Sequence, residues 1–296
     1  MGNWVDVGLI AVLNGVAIGL LLFIVAIGLS LVFGMMDVLN LAHGALFLAG
    51  AYLAWSIVGD RPTWIGWLAA LAVAAAVGAL AGGGLSLLTA PLAGRTHLEQ
   101  ALLTLGVALV GAELLSAAFG DDVRGVNPPP GLDGTVSVVG NAYPTYRLAL
   151  IGVGAGLALA LHLVIERTPV GALVRASVAD RDMVAAVGID VRRVRAGVFV
   201  AGSVLAVTAG VLGSPIYNAR PGLDSTMLIL ALLVVVVGGL GSVRGALVAA
   251  LLIGQIESTG RIVLSDLASF LLFGVLALVL VVRPRGLAAA PSGHRS

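Results

Sequence analysis

Asp37, Asn40 and His43 stand close together inside the apolar stretch "VFGMMDVLNLAHGALFLAGAYLAW" (32–55). An acid, an amide and an imidazole so spaced could relay protons, bind a polar solute or bond one helix to another. Charged and polar groups inside a membrane segment are costly, about 2.5–3.5 kcal/mol for a mid-helix Asp on insertion scales, so they face protein or water or lie near an interface. Asp37 falls at an expected turn between two spans, where N-capping accounts for it. Asn40 and His43, at i and i+3, are expected on one face of the following helix, with Phe47 a turn beyond. For His43 two roles stay open: a hydrogen bond between helices, or lining of a solute pathway. Asn14, Glu113, His162, Gln255 and Glu257 pose the same question elsewhere. Glu113, surrounded by apolar residues in "LGVALVGAELLSAAFG", is expected to be neutral and bonded to a backbone carbonyl; no second carboxylate stands at helical spacing to complete a proton relay.

The elements that position these groups follow from composition. The 296 residues are 59% hydrophobic and 10% charged, against about a quarter charged in soluble domains. The expected fold is all-α, a polytopic integral membrane helical bundle forming a single domain over 1–296. With spans of about 20 residues, candidates fall at 7–33, 38–58, 64–90, 98–119, 147–165, 194–213, 226–241, 245–260 and 266–282, giving about 8–9 transmembrane helices. The start "MGNWVDVGLIAVLNG" lacks the basic region of a cleaved signal, so its apolar run is expected to remain as a helix. Short runs around "GGLGSVRGALVAALLIGQIES" are where transporters break helices and expose backbone to solute. GxxxG pairs at Gly15/Gly19, Gly152/Gly156 and Gly241/Gly245 are expected to let helices approach closely.

Two polar segments interrupt the spans. Residues 120–147, with three consecutive prolines and turn-forming residues, read as an external loop of extended and turn structure. Residues 166–195 carry signals of two short helices on the internal side. Thr168 followed by Pro169 reads as an N-cap with proline at the first helical position. Asp180 caps a second helix, which Gly188 stops, with Ile189 closing a Schellman-type end. Alternating the nine spans gathers most arginines on one side, which favours an outer N-terminus and an inner C-terminus.

Several chemistries are excluded. There is no Cys, and all 16 basic residues are Arg. Without Lys there is no Walker A lysine or Schiff base, and without Cys no disulfide, thiolate or cysteine metal site. The four histidines are scattered, and no GxSxG elbow occurs. A net charge of +1 without a basic patch gives no ground for nucleic-acid binding. Paired intramembrane carboxylates for a secondary transporter, or clustered catalytic groups for a membrane enzyme, are likewise not evident.

Three ordered stretches resemble the permeases of ATP-driven importers for branched-chain amino acids, the Liv type, and more the H than the M subunit. They are "GLSLVFGMMDVLNLAHGALFLAGAYLAW", "TPVGALVRASVADRDMVAAVGIDVRRVRAGVFVAGSVLAVTAGVL" and "PGLDSTMLILALLVVVVGGLGSVRGALVAALLIGQIES". Two features depart from the pattern: Ala45 follows AHG where a polar residue is common, and "TAPLAGRTHLEQALLTLG" is a loose match. Permeases for urea, short amides or simple sugars share the architecture and stay as alternatives. The resemblance implies a subunit of the bacterial inner or plasma membrane with no cofactor of its own. It also implies two cytoplasmic ATPase subunits that use ATP, a second related permease and an extracytoplasmic solute-binding protein. On it, Thr168, Gly171, Arg175, Ala176, Asp180, Ala185, Gly188 and Ile189 are expected to contact an ATPase. Asn40, His43, Gly44, Gly238, Gly239 and Gly241 are candidates for the pathway of an amino acid.

Overall fold

The computed structural model describes residues 2–36, 39–92, 95–138, 140–239, 241–263 and 274. Asp37 and, apart from residue 274, the span expected at 266–282 lie outside the described residues. The helices are α1 (Gly2–Met36), α2 (His43–Val58), α3 (Trp64–Thr89), α4 (His97–Phe119), α5 (Thr145–Arg167), α6 (Pro169–Ala179), α7 (Arg181–Ala186), α8 (Val191–Tyr217), α9 (Leu223–Gly238) and α10 (Val243–Val263). A hairpin of β1 (Thr135–Val138) and β2 (Asn141–Pro144) precedes α5, with Val136 opposite Tyr143. Within α1, α3, α4, α5 and α8 lie stretches long and apolar enough to cross a membrane.

α1 is the central post. Its residues from Leu20 to Leu29 are almost wholly buried, and α8, α10, α5 and α9 pack around it. Lipid offers no hydrophobic drive for helix association, so close approach must come from small residues. Gly28 of α1 meets Gly202 of α8, where an added Cβ would stand 2.7 Å from the facing Cα. Gly15 and Gly19 pack on Gln255 and Ala250 of α10, and Gly238 packs on Gly245. Gly152 and Gly156 differ from expectation: a Cβ added at either would meet nothing from another element within 4 Å, and Gly154 between them packs on Leu20 instead. The spacing suits a contact stripe, but the helix presents its other face to α1.

Two ends result. The hairpin end gathers 59–63, 120–144 and 218–222, knit by the antiparallel bridge between Arg124 and Ala219 and by Arg124 lying 4.7 Å over the Trp55 ring. The opposite end carries α6, α7 and the 239–242 turn, with Gly241 against Val178 of α6. Arg95, Arg167, Arg175, Arg181, Arg192, Arg193, Arg195 and Arg244 lie toward the α6–α7 end; Arg61, Arg124, Arg147, Arg220 and Arg261 lie toward the hairpin end.

α8 runs past its expected end at 213 and through Pro215 to Tyr217. Proline lacks the N–H that would bond Val211, and its ring crowds that carbonyl. The Ser214 hydroxyl donates to the Val211 carbonyl at 2.8 Å, and the Tyr146 hydroxyl donates to the Leu212 carbonyl at 2.6 Å. The Ser214 hydroxyl thus takes over the bond that the proline releases, Tyr146 ties the next carbonyl, and the helix continues.

Candidate functional site

The segment before α2 differs from expectation. Asn40 does not lie on the helix with His43; residues 39–42 form an irregular stretch, and α2 begins only at His43. Met35 and Met36, expected in the turn, are instead the last residues of α1. The stretch is nevertheless buried, with Asn40 only 2% exposed. Non-helical backbone at membrane depth is tolerated where protein satisfies its polar groups. Thr104 of α4 does so here: its Oγ1 accepts from Leu41 N at 3.2 Å and donates to the Leu39 carbonyl at 3.1 Å. Reading the sequence alone missed Thr104, although a lone hydroxyl in the apolar "ALLTLGVALV" was a signal.

His43 Nε2 donates to the Val25 carbonyl oxygen of α1 at 2.8 Å. Its Nδ1 and the Asn40 Oδ1 are buried without a hydrogen-bond partner among the described residues. Gly44 packs on the first turn of α9, where a Cβ would collide with the Asp224 carbonyl. The two 16-residue helices α2 and α9 therefore touch near their starts. Each is about 24 Å long at 1.5 Å per residue, short of the ~30 Å hydrocarbon core.

The glycines of the α9–α10 turn are elsewhere. Gly239 and Gly241 have positive φ (91° and 71°), and Gly241 N donates to Ser30 Oγ at 3.1 Å. His43 meets α1 at Val25 and Gly241 meets it at Ser30 and Gly34, roughly 8–13 Å farther along the helix. The structure brings Asn40, His43 and Gly44 together and sets Gly238, Gly239 and Gly241 apart, with Gly238 against Gly245 of α10 and Gly241 against Val178 of α6.

α6 and α7 form where capping chemistry places them. Thr168 Oγ1 accepts from Gly171 N at 3.1 Å, Pro169 opens α6, and Asp180 Oδ1 accepts from Met183 N at 2.9 Å. Gly188 has φ 87°; its N–H donates to Ala185 O, and Ile189 N donates to Val184 O. That pair of bonds is the Schellman end. A Cβ on Gly171 would collide with the carbonyl oxygens of Val164 and Ile165, so Gly171 sets how closely α6 folds back on α5. Arg175, Ala176 and Ala185 are exposed on this pair of helices or at its edge.

Glu113 corrects another expectation. It is exposed on the outer side of α4, and among the described residues it makes no bond to a backbone carbonyl. The helix touches chiefly α2, and most of its surface is uncovered.

The architecture can be set beside known proteins. A family model described as branched-chain amino acid transport system / permease component matches residues 11–280. The chain belongs to this permease family. It is 30% identical to the high-affinity branched-chain amino acid transport system permease protein BraD of Pseudomonas aeruginosa, over 94% of each chain. It is 29% identical to LivH of Escherichia coli K12, again over 94% of each, and 28% identical to a probable LivH of Methanocaldococcus jannaschii, over 94% of this chain and 90% of that one. No solved structure matches. The chain is thus a multi-pass membrane transport subunit rather than an enzyme, and it resembles the H-type permeases over nearly its whole length.

Proposed function

We propose that this chain moves branched-chain amino acids across the bacterial inner membrane as one permease of an ATP-driven importer. The observation that carries this is the full-length similarity to BraD and LivH, whose names state that transport. The α6–α7 pair fits the role of ATPase dock. It is short, capped at both starts, closed by Gly188, and seated against the bundle through Gly171 and Val178. Thr168, Gly171, Arg175, Ala176, Asp180, Ala185, Gly188 and Ile189 belong to this dock in our reading. ATP would be hydrolysed by two partner ATPases, this chain holding no cofactor, while a second related permease and an extracytoplasmic binding protein complete the assembly.

The arginine distribution supports a cytoplasmic α6–α7 end and an outer hairpin end. Asn40, His43 and Gly44 border the route near the meeting of α2 and α9, and Gly238, Gly239 and Gly241 border it near α6. Closing of the ATPases would push α6, and through Val178 the 239–242 turn, so that inward and outward conformers exchange populations. The test is reconstitution with the partner subunits and leucine as solute. ATP-dependent leucine uptake is expected; uptake driven equally by a proton gradient alone, or uptake of urea or a sugar but not leucine, overturns the proposal.

A further inference from the structure

Near the hairpin end four helices bring charged and polar side chains to one level. Glu257 of α10 is 7% exposed, and its Oε1 receives Arg261 at 2.6 Å and the Tyr217 hydroxyl of α8 at 3.4 Å. Its Oε2 is buried without a partner among the described residues. On the neighbouring helices Arg147 of α5 donates to Asn14 Oδ1 of α1. The two groups are adjacent: Ser258, next to Glu257, donates to the Ala11 carbonyl one turn before Asn14, and Gly15 packs on Gln255.

Among the described residues the charge count is uneven, two guanidinium groups, of which that of Arg261 is exposed, against one carboxylate. A buried carboxylate oxygen without a donor is destabilising, and none of the described residues donates to Oε2, so the site calls for a donor from outside that set. A metal cation is disfavoured, because the site offers one carboxylate and two positive charges. Urea, amides and sugars leave the excess positive charge unanswered. A zwitterion supplies both missing groups, an ammonium for Glu257 Oε2 and a carboxylate for the surplus guanidinium. Arg147 suits the carboxylate, because a guanidinium has five N–H donors in a planar fork.

We infer that Glu257 and Arg147, steadied by Tyr217, Arg261 and Asn14, form a head-group site for an α-amino acid at the hairpin end of the permease. The inference rests on the transport reading above and sharpens it, because it places selection for a zwitterion in this chain. Tyr217 and Arg261 hold the carboxylate so that Oε2 alone is left for solute. Asn14 orients Arg147 from the opposite helix.

The experiment is initial-rate leucine uptake by the reconstituted importer, comparing wild type with Glu257→Gln and Arg147→Gln. Inhibition by 3-methylbutylamine and by 4-methylpentanoate, which lack the carboxylate and the ammonium respectively, is measured alongside. Each variant is expected to raise KM for leucine at least tenfold with Vmax within about threefold, and neither analogue is expected to inhibit wild type at leucine's KM. A purely structural role would lower Vmax and the yield of assembled complex with KM unchanged, which overturns the inference. Arg147→Gln decides the matter should Glu257→Gln fail to assemble. If wild type carries no leucine, the transport reading falls and the site with it; if it carries leucine and both variants keep its KM, only the site falls.

Discussion

Thr104 ties down the one irregular segment described inside the bundle near α2, and a single hydroxyl does so in both directions. Thr104→Val keeps the shape but strands Leu41 N–H in a buried place, an expected loss of about 1–3 kcal/mol. Thr104→Ser keeps the hydroxyl and should lose far less. Thermal unfolding of the purified protein in detergent, with both variants side by side, checks this; equal stability would show that the clasp contributes nothing. The same scale explains what the sequence left hidden. His43 and Asn40 advertise themselves as polar residues in an apolar run, but their roles depend on where the helix starts. Three residues of irregular backbone move Asn40 off the face it was expected to share with His43. The bond from His43 to Val25 joins positions 18 apart in sequence, and no local pattern names its acceptor.

At the scale of elements, local chemistry was most legible where helices start and stop. Thr168, Pro169, Asp180 and Gly188 act through neighbours three to five residues away, so the α6–α7 pair could be read almost residue by residue. Gly188→Val forces a β-branched side chain into the left-handed region, at an expected cost of about 1–3 kcal/mol. Asp180→Ala removes the cap of α7, worth about 1 kcal/mol. Both should speed hydrogen exchange of the α7 amides while leaving α8 protected, and both should weaken co-purification of the ATPases. Unchanged exchange in α7 would count against the Schellman end as its stabiliser. Packing faces were less legible. Gly152/Gly156 and Gly15/Gly19 share one spacing, yet only the second pair meets a neighbour. Which stripe faces inward depends on the rotation of the whole helix. Gly28→Leu should therefore prevent close approach of α1 and α8 and abolish folded protein, whereas Gly152→Leu should leave the fold intact. The yield of monodisperse protein after detergent extraction distinguishes them.

For the whole molecule, hydrophobic run lengths gave the bundle class, and the structure places the arginines among the described residues at two ends, in the groups expected for them. What run lengths could not supply is depth. α2 and α9 are too short to cross unaided, and each is preceded by non-helical backbone held by a partner distant in sequence, Thr104 at the buried stretch before α2 and Arg124 at Ala219 before α9. Sidedness then gives the broadest prediction. The chain has no Cys, so single cysteines report accessibility without background. Ser137 on β1 and Asp182 on α7 are both exposed and stand at opposite ends of the bundle. In intact cells whose outer membrane admits the reagent, a membrane-impermeant maleimide should label Ser137→Cys. It should label Asp182→Cys only once the inner membrane is opened. The reverse pattern would invert the topology, put the α6–α7 pair out of reach of any cytoplasmic ATPase, and remove the coupling role proposed for it.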